Sequence, residues 1–249
     1  MSNLINYPQY LLDFSLELIF PKKCVICGKF NASDFSGYLC KKCLTTIPIN
    51  HNFECIGCKK QTSIGKTCNS CIKTNGIDQL LVVADYKNKT LIKLIKLFKY
   101  RFIKELGFPL FLLTKKYLIQ LAKTKKFNFL EEDPLILSIP LNTRRLNWRG
   151  FNQSDILACL LADNFHLEKG GNIISRTGKS KPQAEIKEKD DRLNNLRGLF
   201  KVIRADKIAG RNILLIDDVC TTGTTLNECA KILKENGVKK VIGLVVARG

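Results

Sequence analysis

The rhythm of apolar and polar positions divides this chain into three stretches. Residues 1–23 read as a short amphipathic leader. Residues 24–75 are polar and glycine-containing, with too few apolar positions for a core of their own. From Gly76 onward, regular periods appear. Gln79–Tyr86, Leu135–Ile139, Ile173–Ser175, Phe200–Val202, Asn212–Ile216 and Val241–Ala247 read as strands. Thr90–Gly107, Leu110–Lys126, Gln153–His166 and Thr224–Asn236 read as helices, the last closed by Gly237. Thr177–Arg197 is charged and poor in apolar residues, so it reads as a long loop. Alternating strands and helices predict an α/β domain over residues 76–249 with a mainly parallel sheet.

Composition adds two constraints. Of the 249 residues 45% are apolar, enough for a core, which excludes global disorder. The formal charge of +19 calls for a polyanionic partner: nucleic acid, a membrane surface or a phosphorylated ligand. Stable membrane insertion is not expected. The apolar stretch Leu11–Phe20 contains Asp13 and Glu17, has no basic start and is too short to span a bilayer. The reading is therefore cytoplasmic, where thiols stay reduced.

Eight of the eleven cysteines form four Cys-x-x-Cys pairs, all in the first third of the chain. Reduced pairs at this spacing point to metal. Two such turns complete a tetrahedron around Zn²⁺, so about two structural zinc sites are expected. The spacings allow sequential or crossed pairing. We favour the sequential one, with Cys24, Cys27, Cys40 and Cys43 at one site and Cys55, Cys58, Cys68 and Cys71 at the other.

The most informative stretch runs from Ile213 to Thr225. Four apolar residues form a strand, Asp217 and Asp218 stand at its carboxyl end, and Thr221, Thr222, Gly223, Thr224 and Thr225 open a helix. Ligands of open α/β sheets bind beyond the carboxyl ends of strands. A helix amino terminus with hydroxyls and a glycine suits a phosphate. The acids make sense if they accept hydrogen bonds from sugar hydroxyls or share a divalent cation. A phosphate at one end and a diol at the other describes a ribose 5-phosphate. Gly178-Lys179-Ser180 is not the end of a P-loop, because the preceding Gly171 is two residues too far away.

A second anion site is expected upstream, where Asn142, Arg144, Arg145 and Arg149 follow a strand that ends at Pro140. Arginines there suit a pyrophosphate. Between Lys87 and Lys126, twelve basic residues face a single acid, Glu105. On a helical wheel Lys89, Lys93, Lys96, Tyr100 and Lys104 share one face. Such a stripe could track a phosphate backbone and stack a base. A solvated amphipathic face is the competing reading.

The Asp217–Thr225 stretch resembles the signature of type I phosphoribosyltransferases that binds 5-phosphoribosyl-1-pyrophosphate (PRPP). The string Arg149-Gly150-Phe151-Asn152-Gln153 narrows the resemblance to the ComF family (ComF, ComFC and GntX-like proteins). Lys99-Tyr100-Arg101, Arg176 with Asn195–Phe200, the cysteine pairs and Ala247-Arg248 extend it over nearly the whole chain. The resemblance implies that Asp217 and Asp218 hold the ribose hydroxyls and that Thr221–Thr225 holds the 5-phosphate of PRPP, with Mg²⁺. It implies a flexible loop in which Lys179, Lys181, Gln183 and Arg192 close over the ligand. It also implies a role in natural transformation, handling single-stranded DNA alongside other DNA-uptake and recombination proteins. Two readings compete: a salvage phosphoribosyltransferase using Mg-PRPP, and a zinc-dependent regulator of duplex DNA. Beyond Val241–Ala247 no segment is expected to form a base-recognising hood. The basic helix has no obvious helix-turn-helix partner.

Overall fold

A computed structural model describes residues 23–30, 35, 36, 38–124, 127–177 and 198–249. The leader before Lys23 lies outside the described residues, as do Lys179, Lys181, Gln183 and Arg192. In chain order, β1 is Phe35–Ser36, β2 Leu39–Cys40, α1 Lys41–Thr45, α2 Asn69–Ile72, β3 Gln79–Asp85, α3 Lys89–Tyr100 and α4 Gly107–Lys123. Then come β4 Leu135–Ser138, α5 Thr143–Arg149, α6 Gln153–Phe165, β5 Ile174–Arg176, β6 Phe200–Val202, β7 Asn212–Cys220, α7 Thr224–Glu235 and β8 Lys240–Arg248.

The central sheet has the order β3-β8-β7-β4 and is parallel throughout. Its strands are apolar on both faces, as helices on both sides require. Side chains alternate between two cores. Leu81, Ile136, Leu214, Ile216, Ile242 and Leu244 face the core shared with α3, α4 and α6. Leu80, Leu135, Leu137, Ile213, Leu215 and Val241 face the core shared with α7 and the β5–β6 hairpin. Each such side chain contributes about 1.5–3 kcal/mol through burial. A one-residue slip of β7 would exchange every residue between the two cores, so the sequence pins the register of the strand that carries Asp217 and Asp218.

Two helix and strand ends differ from the expectation, and the arginine segment takes a defined form. The helix from Thr90 ends at Tyr100, because Phe102 takes a left-handed conformation (φ 58°) with its ring edge-on to Trp148 at 4.9 Å. Lys104 therefore leaves the α3 stripe and stands over the Phe151 ring at 5.4 Å. Strand β7 does not stop at Ile216. Pairing with β8 continues through Asp217–Val245 and Cys220–Arg248, which places the two acids inside the strand. The arginine segment is helical: the Asn142 side chain accepts the Arg144 N–H at 2.9 Å, and Gly150 (φ 73°) ends the turn.

Candidate functional site

The carboxyl end of the sheet opens into a cleft of about 1170 Å³. The phosphate end is built by β7 running through Thr221 and Thr222 into α7. Gly223 is the residue before the helix and has φ 82°, ψ −2°, a left-handed conformation that favours glycine. The amides of the first α7 turn have no intrahelical acceptor and carry the positive end of the helix dipole. Thr221 and Thr222 are exposed, and the hydroxyls of Thr222 and Thr224 lie 2.7 Å apart. Thr225 also lines the cleft. Donors thus converge on one small volume, which suits a phosphate.

The two acids on the floor differ. Asp218 is buried, and Lys99 Nζ reaches its Oδ1 at 2.8 Å. Burial opposes the Lys99 charge, but the carboxylates of Asp218 and Asp217 outweigh it, and the ammonium pKa ends above its ordinary value. Asp217 Oδ1 accepts the Ser154 hydroxyl and the Asp218 N–H, each at 2.8 Å. Burial first, and then the neighbouring Asp218 charge, push the Asp217 carboxyl up to about 7.

Opposite the acids, Arg149 is 8% exposed and donates from Nη1 to Gln153 Oε1 at 2.9 Å. Burial lowers the guanidinium pKa, and nearby Asp218 pulls it back. Among the described residues, Arg149 Nε and Gln153 Nε2 are buried without a hydrogen-bond partner. Two unmet donors on a cleft wall fit an anionic or hydroxyl-bearing ligand. Arg144 and Arg145 are exposed at the same wall, and Asn142 lies beside them as the cap of α5.

Tyr100 also lines this cleft, with Arg149 over its ring at 5.4 Å. Its other side borders a shallow groove of about 530 Å³ that runs along α3 past Lys89, Lys93 and Lys96. The two candidate sites therefore meet at Tyr100.

The cysteines gather into the two sequential sets, Cys24, Cys27, Cys40, Cys43 and Cys55, Cys58, Cys68, Cys71, with all ligand atoms of each set within 4.8 Å of one another. Sulfur–sulfur distances of 3.9 Å (Cys27–Cys40) and 3.7 Å (Cys58–Cys68) bracket the ~3.8 Å edge of a tetrahedron with Zn–S near 2.3 Å. The backbone N–H groups of Cys40 and Cys68 point at Cys24 Sγ and Cys55 Sγ, each at 3.5 Å, a common support for thiolate ligands. With four protein ligands each, these are structural zinc sites.

Residues 15–72 match the double zinc ribbon domain, and residues 171–249 match the phosphoribosyl transferase domain. Competence protein F of Haemophilus influenzae is 27% identical over 222 residues, covering 84% of this chain and 96% of its own length. Competence protein ComFC of Bacillus subtilis is 36% identical over 104 residues, 41% of this chain and 39% of its own. DNA utilization protein YhgH of Salmonella typhimurium is 30% identical over 175 residues, 70% of this chain and 74% of its own. The chain belongs to the ComF family.

In this ComF-family chain several site residues escaped the pattern reading. Lys99 follows the polar face of a helix, and nothing in its spacing reveals the ion pair with Asp218 across the sheet end. Ser154, Arg176 and Trp148 line the cleft, and only the tertiary fold brings them there. Gln153 stands last in the family string, and its burial shows why a glutamine sits there: it accepts from Arg149. Among the described residues, no helix of this ComF-family chain is long and apolar enough to cross a membrane.

Proposed function

We propose that this ComF-family chain is a DNA-handling protein that binds a 5-phosphoribosyl ligand, PRPP, in the cleft and single-stranded DNA along α3, and that it serves DNA uptake in natural transformation. The names of its relatives, competence and DNA utilization proteins, support the role. The observation that carries the reading is the meeting of the phosphate loop, the acids and the arginine helix with the basic helix at Tyr100. In this reading Thr221–Thr225 holds the 5-phosphate. Asp217 faces the ribose hydroxyls together with Asp218, and Arg144, Arg145 and Arg149 take the pyrophosphate. Mg²⁺ would enter on the pyrophosphate rather than as a resident ion, because Lys99 already neutralises Asp218. Lys179, Lys181, Gln183 and Arg192 would close over the ligand, and other DNA-uptake and recombination proteins would be its partners in the cytoplasm.

On α3, Asn88 caps the helix by accepting the Leu91 N–H at 2.9 Å, while Leu91, Leu94, Ile95 and Phe98 bury one face. Lys89, Lys93 and Lys96 are left exposed on the other. Fluorescence anisotropy with single-stranded DNA, duplex DNA and RNA, each with and without PRPP, tests the reading. Preference for single-stranded DNA supports it, and equal binding of all three removes it. Turnover of PRPP with a base would move the protein to the transferases.

A further inference from the structure

Ile56 backs the phosphate loop on its Gly223 side. A Cβ added to Gly223 would stand 2.9 Å from Ile56 Cγ1, and Ile56 itself is 1% exposed. Ile56 thus leaves no room for a chain to pass behind the loop at Gly223. At the opposite rim Tyr100 is 54% exposed and Trp148 58%, with ring centroids 6.4 Å apart. Exposed aromatic faces on a basic surface are platforms for nucleobases. PRPP has no base to place on them.

Charge on the floor matters next. In a DNA strand the sugar next to a 5′-phosphate carries another phosphate on its 3′ oxygen. Two free carboxylates would repel that diester. Here Lys99 holds Asp218 at 2.8 Å, and Arg149 stands opposite with its Nε unpartnered among the described residues. The floor therefore tolerates a second phosphate. From Tyr100 the groove past Lys96, Lys93 and Lys89 continues away from the cleft.

We propose that the cleft takes the 5′-phosphorylated end of a single DNA strand, with the terminal phosphate in the Thr221–Thr225 loop, the first base on Tyr100 and Trp148, and the following phosphates along Lys96, Lys93 and Lys89. This deepens the reading above and rests on it. PRPP and the strand end then compete for one phosphate cradle.

The test uses the zinc-loaded full chain and four forms of one 12-nucleotide sequence labelled internally: 5′-phosphate, 5′-hydroxyl, 3′-phosphate and circular. Anisotropy should show the 5′-phosphate form binding at least about tenfold tighter than the other three, on the scale of one charge-assisted phosphate site. Saturating PRPP should erase that advantage and leave the 5′-hydroxyl form unchanged. Thr221→Ala with Thr222→Ala, both at exposed positions, should erase it too. Equal binding of all four forms would overturn end recognition, as would an advantage that survives saturating PRPP. Calorimetry of PRPP on the same sample, and Lys89→Glu/Lys93→Glu/Lys96→Glu against the circular strand, keep the broader reading separate. Normal results there alongside equal binding of the four forms would sink only the strand-end proposal.

Discussion

The two cysteine tetrads share a ligand set but not their neighbours. The first sits at the start of α3: the Asn88 side chain donates to the Thr46 carbonyl, Thr46 and Thr90 hydroxyls meet at 3.5 Å, and Cys24, Cys40 and Cys43 join the core beneath α3 and α4. The second stands behind the phosphate loop. Ile56, between Cys55 and Cys58, packs against Gly223, and Arg248 donates to the carbonyls of Cys55 at 3.2 Å and Ile56 at 2.7 Å. Gly76, just past this ribbon, gives its N–H to Asn227 of α7 at 2.7 Å. One ribbon thus props the basic helix and the other props the cleft. Metals of the same coordination can support different surfaces, and what decides is the residues beside the ligands.

The largest expected effect comes from emptying one tetrad at a time. Cys55→Ser with Cys58→Ser should lower zinc from two ions to one per chain and weaken PRPP by about thirtyfold or more, because structural zinc supplies folding free energy locally. Cys24→Ser with Cys27→Ser should also cost one zinc, yet leave PRPP affinity within about threefold and weaken DNA instead. Zinc analysis with calorimetry reads both, and equal PRPP losses would break the comparison.

A smaller effect is expected at the contact itself. Gly223→Ala must place a Cβ against Ile56 at a left-handed backbone position, costing about 1–2 kcal/mol. PRPP should weaken about tenfold while DNA binding to a 5′-hydroxyl strand is unchanged. On the other side, three lysines, not four, remain on α3 once Lys104 is excluded. If each neutralises one phosphate, replacing Lys89, Lys93 and Lys96 by glutamate should remove about 2 from the log–log salt slope on single strands. A salt slope that does not change would take α3 off the DNA surface.

The smallest effect is the pH dependence at Asp217. Its folded pKa, about 7, lies above the ordinary carboxylate value, so the folded state binds the extra proton. Stability is then lost as pH rises from about 4 to about 7 and is flat above. Asp217→Asn should raise the melting temperature more at pH 8 than at pH 5. Equal shifts would mean the carboxyl is not held protonated. Asp218 needs a different variant. Replacing it by Ala strands Lys99, and that loss of stability would confuse any binding result, whereas Asp218→Asn with Lys99→Met removes both partners together.

Much of this arrangement was legible in the sequence. Continuous apolar runs marked β7 and β8, and acids, threonines and Gly223 in order marked the phosphate end. Spacing marked the four cysteine pairs but left sequential and crossed pairing open, and the fold brings together the sequential sets. Sequence could not show where α3 ends, because the reason is the docking of Phe102 on Trp148, forty-six residues away. It placed Asp217 and Asp218 just past the strand, because β8 pairing beyond Ile216 is a tertiary fact. The two unpaired helix cysteines also differ in a way no local pattern shows: Cys159 is half-buried, Cys229 fully buried. The partnership of Ile56 with Gly223 joins residues from opposite ends of the chain, and no local pattern records it.

The central claim is that the cleft at the carboxyl end of β7 holds a 5-phosphoribosyl group. Calorimetric titration of PRPP into the zinc-loaded full chain, with Mg²⁺ present, tests it most directly. One saturable site per chain is expected, which Asp217→Asn weakens and Gly223→Ala weakens further. A folded chain with two zinc ions that gives no saturable heat with PRPP would contradict it.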